Sequence, residues 1–231
     1  MANYTSTQTA VQSLTQTLFK SLYMQMAAAL TITGLTAYFL SESAAFWRML
    51  AENQALIWVI IIAQVGLVLW LTMRLHKMSM TTATLLFIAY SVLTGVSLSS
   101  IFIIYTKSSI ASTFFITAGT FAVMSLIGYT TKRDLTKLGS ILLMLLIGII
   151  IATLVNIFLH SEGLYWAITY IGVAVFVGLI AWDTQKIKNI FEEHGTADDN
   201  GQKLALMGAL MLYLDFINLF IYLLRLLGNR E

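Results

Sequence analysis

The sequence predicts an all-α integral membrane protein, a bundle of seven transmembrane helices, on three observations. Of its 231 residues, 58% are hydrophobic and only 10% charged, and the mean hydropathy is +0.83. Soluble domains carry about 25% charged residues. Seven segments are each apolar for about 20 residues, the length needed to cross a hydrocarbon core of ~30 Å. Lysine and arginine gather in alternate connections, as they do in multi-pass proteins.

The elements follow in chain order. Residues 1–21 are rich in Thr, Gln and Ser and read as a polar cytoplasmic segment, ahead of a seven-helix transmembrane domain over 22–231. The first apolar run, Leu22–Leu40, is too long for the short core of a cleavable signal and is read as a retained span. Ala55–Met73, Thr82–Tyr105, Ile110–Tyr129, Leu138–Leu159, Leu164–Trp182 and Leu204–Leu227 supply the other six. Two connections are long, Ser41–Gln54 and the charged stretch Asp183–Lys203. Phe46, Trp47, Tyr105, Tyr129, Tyr165 and Trp166 fall near span ends, where aromatic side chains anchor to the interface.

Orientation follows from the basic residues. With the N-terminus inside, nine lie on the cytoplasmic side: Lys20, Arg74, Lys77, Lys132, Arg133, Lys137, Lys186, Lys188 and Lys203. Four lie opposite: Arg48, Lys107, Arg225 and Arg230. That asymmetry predicts a cytoplasmic N-terminus and a C-terminus on the opposite side, unless the last segment is re-entrant.

Several chemistries are excluded or disfavoured. The chain has no cysteine, hence neither disulfides nor a thiolate nucleophile, and no proline to kink a span. His76, His160 and His194 stand apart, without zinc-ligand spacing. A net charge of +2 is too small to point to nucleic acid. No cofactor is expected.

Two aspartates carry the remaining signal. Asp183 closes the run YIGVAVFVGLIAWD, and Asp215 interrupts ALMGALMLYLDFINLFIYLLRLL. A carboxylate in a hydrocarbon span costs at least ~2.5 kcal/mol and is rarely placed there without use. On the last span Gly208, Met211, Asp215, Asn218, Tyr222 and Arg225 form one polar stripe, so Asp215 should face inward. Leu210, Leu214, Ile217 and Ile221 form the opposite face, expected to meet lipid. On the sixth span Thr169, Gly172, Phe176 and Asp183 share a face. If that helix continues to Phe191, Asp183 stands ~12 Å above its end, and Asp215 ~16 Å above the start of its own helix. The two levels are compatible.

Two carboxyls in contact ionise as a unit, because the doubly charged state is repelled in low dielectric. Such a pair responds to pH. Its loss of a proton would drive the two helices apart and expose oxygens suited to Ca²⁺. Asp183 and Asp215, with Asn156 or Asn218 as further ion-path candidates, fall short of the 6–8 oxygens of a tight calcium site, so binding there should be transient. Arg74 suits either an interfacial anchor or a latch that pairs with a carboxylate. Asn156 also suits an interhelical hydrogen bond.

The segments GYTTKRDL (Gly128–Leu135), AWDTQKIKN (Ala181–Asn189) and LYLDFINLF (Leu212–Phe220) resemble the Bax inhibitor family, and the likeness runs from about Tyr23 to Arg230. It is strongest to bacterial inner-membrane members. The resemblance implies seven helices with a central one surrounded by the others, and a pH-sensitive calcium leak. It also implies a bacterial inner-membrane location. It maps the family's aspartate pair onto Asp183 and Asp215, and its latching arginine onto Arg74 within TMRLHK. The acidic connection EEHGTADDNGQ (Glu192–Gln202) is longer than in the shortest relatives.

The expected function is therefore a calcium leak gated by the aspartate pair. A second expectation is a membrane interaction protein that modulates a partner such as a membrane protease, without transport. An intramembrane aspartyl protease is disfavoured, because WD at Trp182–Asp183 and LYLD at Leu212–Asp215 replace the YD and GxGD of such enzymes. The chain is not expected to be an enzyme.

Overall fold

The computed structural model describes residues 2–230, with side chains described from Thr9 onward; Met1 and Glu231, at the outer limits of the two expected segments, lie outside them. The described residues are almost entirely helical: α1 (Ala2–Ser41), α2 (Ala44–Glu52), α3 (Ala55–Arg74), α4 (Met80–Leu98), α5 (Ile101–Ile104), α6 (Lys107–Thr130), α7 (Thr136–Leu159), α8 (Glu162–His194) and α9 (Asp199–Leu227). Seven stretches are long and apolar enough to cross a membrane, and they match the seven expected spans. α9 is a continuous 29-residue helix, about 43 Å long at 1.5 Å per residue, which suits a full crossing rather than a re-entrant turn.

The helices fall into two compact units. The first holds residues 2–104 together with Ile190–Leu210, and the second holds Tyr105–Asn189 and Met211–Arg230. α8 and α9 thus contribute to both.

In the first unit, small and polar residues join the helices, as they must where apolar burial gives no drive to associate. Thr33 donates from α1 to the Ser91 carbonyl on α4 (3.0 Å). Gly95 lets α4 approach so closely that a Cβ there would lie 2.6 Å from Thr36 Cβ. Gln64 on α3 donates to Thr94 Oγ1 (3.2 Å) and accepts from Ser97 (2.7 Å).

The polar start of α1 is one with its apolar part and packs on the α8–α9 connection. Leu18 and Phe19 are buried, and Phe19 meets Phe191 edge-on at 5.1 Å. Ser21 donates to Gln202 Oε1 (2.6 Å).

The two long connections resolve into helix. α2 occupies most of Ser41–Gln54, started by Ser43, whose hydroxyl accepts from Phe46 N–H, and tied back by Trp47 Nε1 to the Ser41 carbonyl. α8 runs beyond its apolar segment to His194, because nothing between Trp182 and Gly195 breaks it. Only 195–198 remain as connection. Asp198 then starts α9, accepting from Asn200 and Gly201 N–H and from the Thr196 hydroxyl.

In the second unit, aromatic rings of α6 and α9 interlock. Phe216 packs against Phe114 at 5.5 Å and Phe121 at 5.6 Å. The end of α9 is pinned beside the start of α6: Thr106 N–H donates to the Asn229 carbonyl (3.1 Å), and Asn229 N–H to Ser109 Oγ (2.9 Å).

One expectation is corrected here. Leu210 and Ile217 do not face lipid; both are buried, at 2% and 9% exposure. α9 is the most enclosed of the seven spans, with 61% of its most apolar window buried against 6% for α3. A helix apolar around most of its circumference is a core helix, and the polar stripe misled because both faces are covered.

Candidate functional site: a carboxyl pair in an apolar crevice

Asp183 on α8 and Asp215 on α9 come together within the second unit. Their carboxyls lie within hydrogen-bonding reach of each other, and both residues are enclosed, at 8% and 5% exposure. Two carboxylates cannot donate to one another, so a hydrogen bond between them forms only when one carries a proton. Among the described residues, no other side chain or backbone group donates to Asp183 Oδ1 or Asp215 Oδ2.

The neighbours of Asp183 fix its place on α8. Gly128 lies so near α8 that a Cβ would fall 2.2 Å from the Ala181 carbonyl oxygen, and Trp182 lies over the bare Cα of Gly139. Thr184 donates to the Ile180 carbonyl (2.7 Å) and reaches Ser125 Oγ (3.4 Å). Gln185 spans the α6–α7 connection, accepting from Leu135 N–H (2.9 Å) and donating to the Arg133 carbonyl (2.8 Å). Lys188 donates to the Tyr129 carbonyl (3.1 Å) and lies over the Tyr129 ring. The turn between α6 and α7 is closed by Asp134, whose carboxylate accepts from Thr136 N–H and Oγ1; these bonds hold it below the usual carboxylate range.

The pair lines a crevice of about 480 Å³ between α7, α8 and α9. Leu146, Ile149, Ile150, Thr153 and Leu154 contribute from α7, Phe176 from α8, and Met211, Leu214, Asn218 and Tyr222 from α9. Phe176 and Tyr222 stack at 5.8 Å, and Tyr222 lies directly over Gly172, where any side chain would displace it.

The other predicted site residues divide. Asn218 lines the crevice, with its amide donating to the Leu214 carbonyl (2.8 Å). Asn156 lies elsewhere in the unit: its Oδ1 accepts from Ser161 N–H (2.9 Å) at the α7–α8 turn, beside a separate cavity of about 350 Å³ that includes His160, Glu162 and Arg230. Arg74 is exposed in the last turn of α3, in the first unit.

Sequence reasoning missed the α7 wall, since no polar residue except Thr153 marks it, and the supports at Gly128, Gly139, Ser125 and Gln185. Trp182 and Gln185 beside Asp183, with Gly128 and Gly139 flanking the α6–α7 turn, are the residues that could have pointed to the supports.

A close carboxyl pair in a largely apolar crevice can exchange one proton or accept one cation. Among the described residues no three of His, Cys, Asp or Glu gather as a metal site.

Fold and pair together define a multi-pass α-helical membrane protein with an acidic pair buried among its last two spans. The family described as "Inhibitor of apoptosis-promoting Bax1" matches residues 15–231, and the chain belongs to this Bax inhibitor family. It is 53% identical over 217 residues to the inner membrane protein YbhL of Escherichia coli strain K12, covering 94% of this chain and 93% of YbhL. An uncharacterized protein of Rickettsia prowazekii is 49% identical over 209 residues, 90% of this chain and 88% of its own length. One from Deinococcus radiodurans is 34% identical over 231 residues, 100% and 98% of the two chains.

Proposed function

We propose that the protein is a pH-sensitive cation leak that passes Ca²⁺ across a bacterial inner membrane under control of the Asp183–Asp215 pair. The observation that carries this reading is the close approach of two enclosed carboxyls from neighbouring spans in one crevice. With the proton in place, α8 and α9 are held together through their side chains. Once it leaves, two carboxylates repel in a medium that screens them poorly. The helices part, and the exposed oxygens become transient ligands for a hard cation.

Arg74 is the proposed latch, a fixed positive charge drawn to the pair when it is anionic. The inner-membrane location draws on the name of the YbhL relative. A cytoplasmic N-terminus and a periplasmic C-terminus draw on the nine-to-four asymmetry of basic residues. The pair serves as a gate and not as a protease dyad.

The test is Ca²⁺ flux from vesicles holding the purified protein, followed from mildly acidic to mildly alkaline pH. Wild type should show flux that changes with pH, and Asp215→Asn flux that does not. Unchanged pH dependence in Asp215→Asn would remove the gating role.

A further inference from the structure

We propose that the crevice between α7, α8 and α9 is a binding site for an amphiphilic organic ammonium ion, a compact hydrocarbon body carrying one protonated amine. The inference uses the geometry of the carboxyl pair and does not depend on ion conduction.

The walls of the crevice are poorly made for a hydrated inorganic cation beyond the pair itself. Thr153 and Asn218 are its polar members outside the carboxyls and the Tyr222 phenol, and both spend a donor on their own helix. Thr153 Oγ1 donates to the Ile149 carbonyl (2.8 Å) and Asn218 Nδ2 to the Leu214 carbonyl (2.8 Å). The remaining lining is aliphatic or aromatic. Ca²⁺ needs 6–8 oxygens to replace its water, and such walls do not supply them.

An organic ammonium needs far less. One charged head with three donors matches two carboxyls of which Asp183 Oδ1 and Asp215 Oδ2 accept no bond from the described residues. An apolar body matches the hydrocarbon walls, and the stacked Phe176 and Tyr222 rings offer it a flat surface. The volume of about 480 Å³ falls among those of small-molecule sites, roughly 300–1,000 Å³. Thr153, Ile150 and Leu154 are exposed on α7 as well as lining the crevice, so a ligand dissolved in the bilayer can enter from the side. The charge selects the head and the walls select the body.

The probes are 1-adamantylamine and 1-adamantanol, matched rigid hydrocarbons that differ in the ammonium. Each is added at neutral pH to the full chain in lipid nanodiscs, and thermal stability is read against concentration. The amine should raise the melting temperature with saturation, while the alcohol should not. The double variant Asp183→Asn/Asp215→Asn should weaken amine binding about tenfold or more, the loss expected of a charge-assisted hydrogen bond. Thr153→Phe keeps both carboxyls and fills the crevice, and it should weaken binding similarly. Its melting temperature without ligand reports whether it folds.

Equal stabilisation by alcohol and amine would overturn the proposal. So would an amine effect that persists undiminished in folded Thr153→Phe. No ion gradient enters this assay, so absent binding beside intact pH-dependent Ca²⁺ flux defeats this inference alone, and binding without flux defeats the leak alone.

Discussion

At the scale of single residues, much of GYTTKRDL and AWDTQKIKN serves to seat Asp183 on α8. Trp182, Thr184, Gln185 and Lys188 of α8 contact the α6–α7 region, and Gly128 of α6 lets the two helices approach closely at Ala181. Gly128 is the tightest of these contacts. Gly128→Val places carbon against the Ala181 backbone and should destabilise the protein by about 1–3 kcal/mol, the usual range for overpacking; a lowered melting temperature in detergent would register it. Asp198 makes a different kind of prediction. Its carboxylate is held below the usual range first by the Thr196 hydroxyl and then by the N–H groups of Gly201 and Asn200. A lowered folded-state value means that stabilisation is complete above the unfolded value of ~3.9 and is lost as pH falls through the folded one. Hydrogen exchange in the first turn of α9 should therefore accelerate on acidification below that range, and Asp198→Ala should be fast and insensitive to pH after correction for intrinsic exchange.

At the scale of elements, the sequence disclosed the seven spans, because 20-residue apolar runs admit few other readings in a chain without proline. It allowed, without requiring, the continuation of α8 to about Phe191, since DTQKIKNIF contains no breaker; the helix runs on to His194, with Lys188 reaching the Tyr129 carbonyl. It did not disclose α2, whose nine residues are too few for periodicity to show. Nor did it reveal that both faces of α9 are covered, because an apolar face against lipid and one against protein have the same composition. The α7 wall was hidden for the same reason. Two element-scale predictions follow from geometry that sequence does not carry. His160 ends α7 at φ 50°, in the left-handed region that favours glycine. His160→Gly relieves a left-handed cost of roughly 1–2 kcal/mol, part of which the larger freedom of glycine in the unfolded chain offsets, and should raise the melting temperature. The start of α1 is tied to the α8–α9 connection by the Phe19–Phe191 contact. Phe19→Ala should cost about 3 kcal/mol and raise protease cleavage near 195–198.

At the scale of the whole molecule, two of seven long apolar helices enclose a pair of carboxyls in a crevice with largely apolar walls. Membership of the Bax inhibitor family sets the class, and the carboxyl contact gives the proposed leak its physical basis. In that account the shared proton is the switch, and ion flow reports its loss. The direct measurement is the carboxylic-acid C=O infrared band of the reconstituted protein, titrated alongside Ca²⁺ flux on the same samples. The account predicts a protonated-carboxyl band that disappears as pH rises, over the same range in which flux changes, and that is altered in Asp215→Asn. A band that titrates out of step with flux, or one untouched by Asp215→Asn, would contradict it.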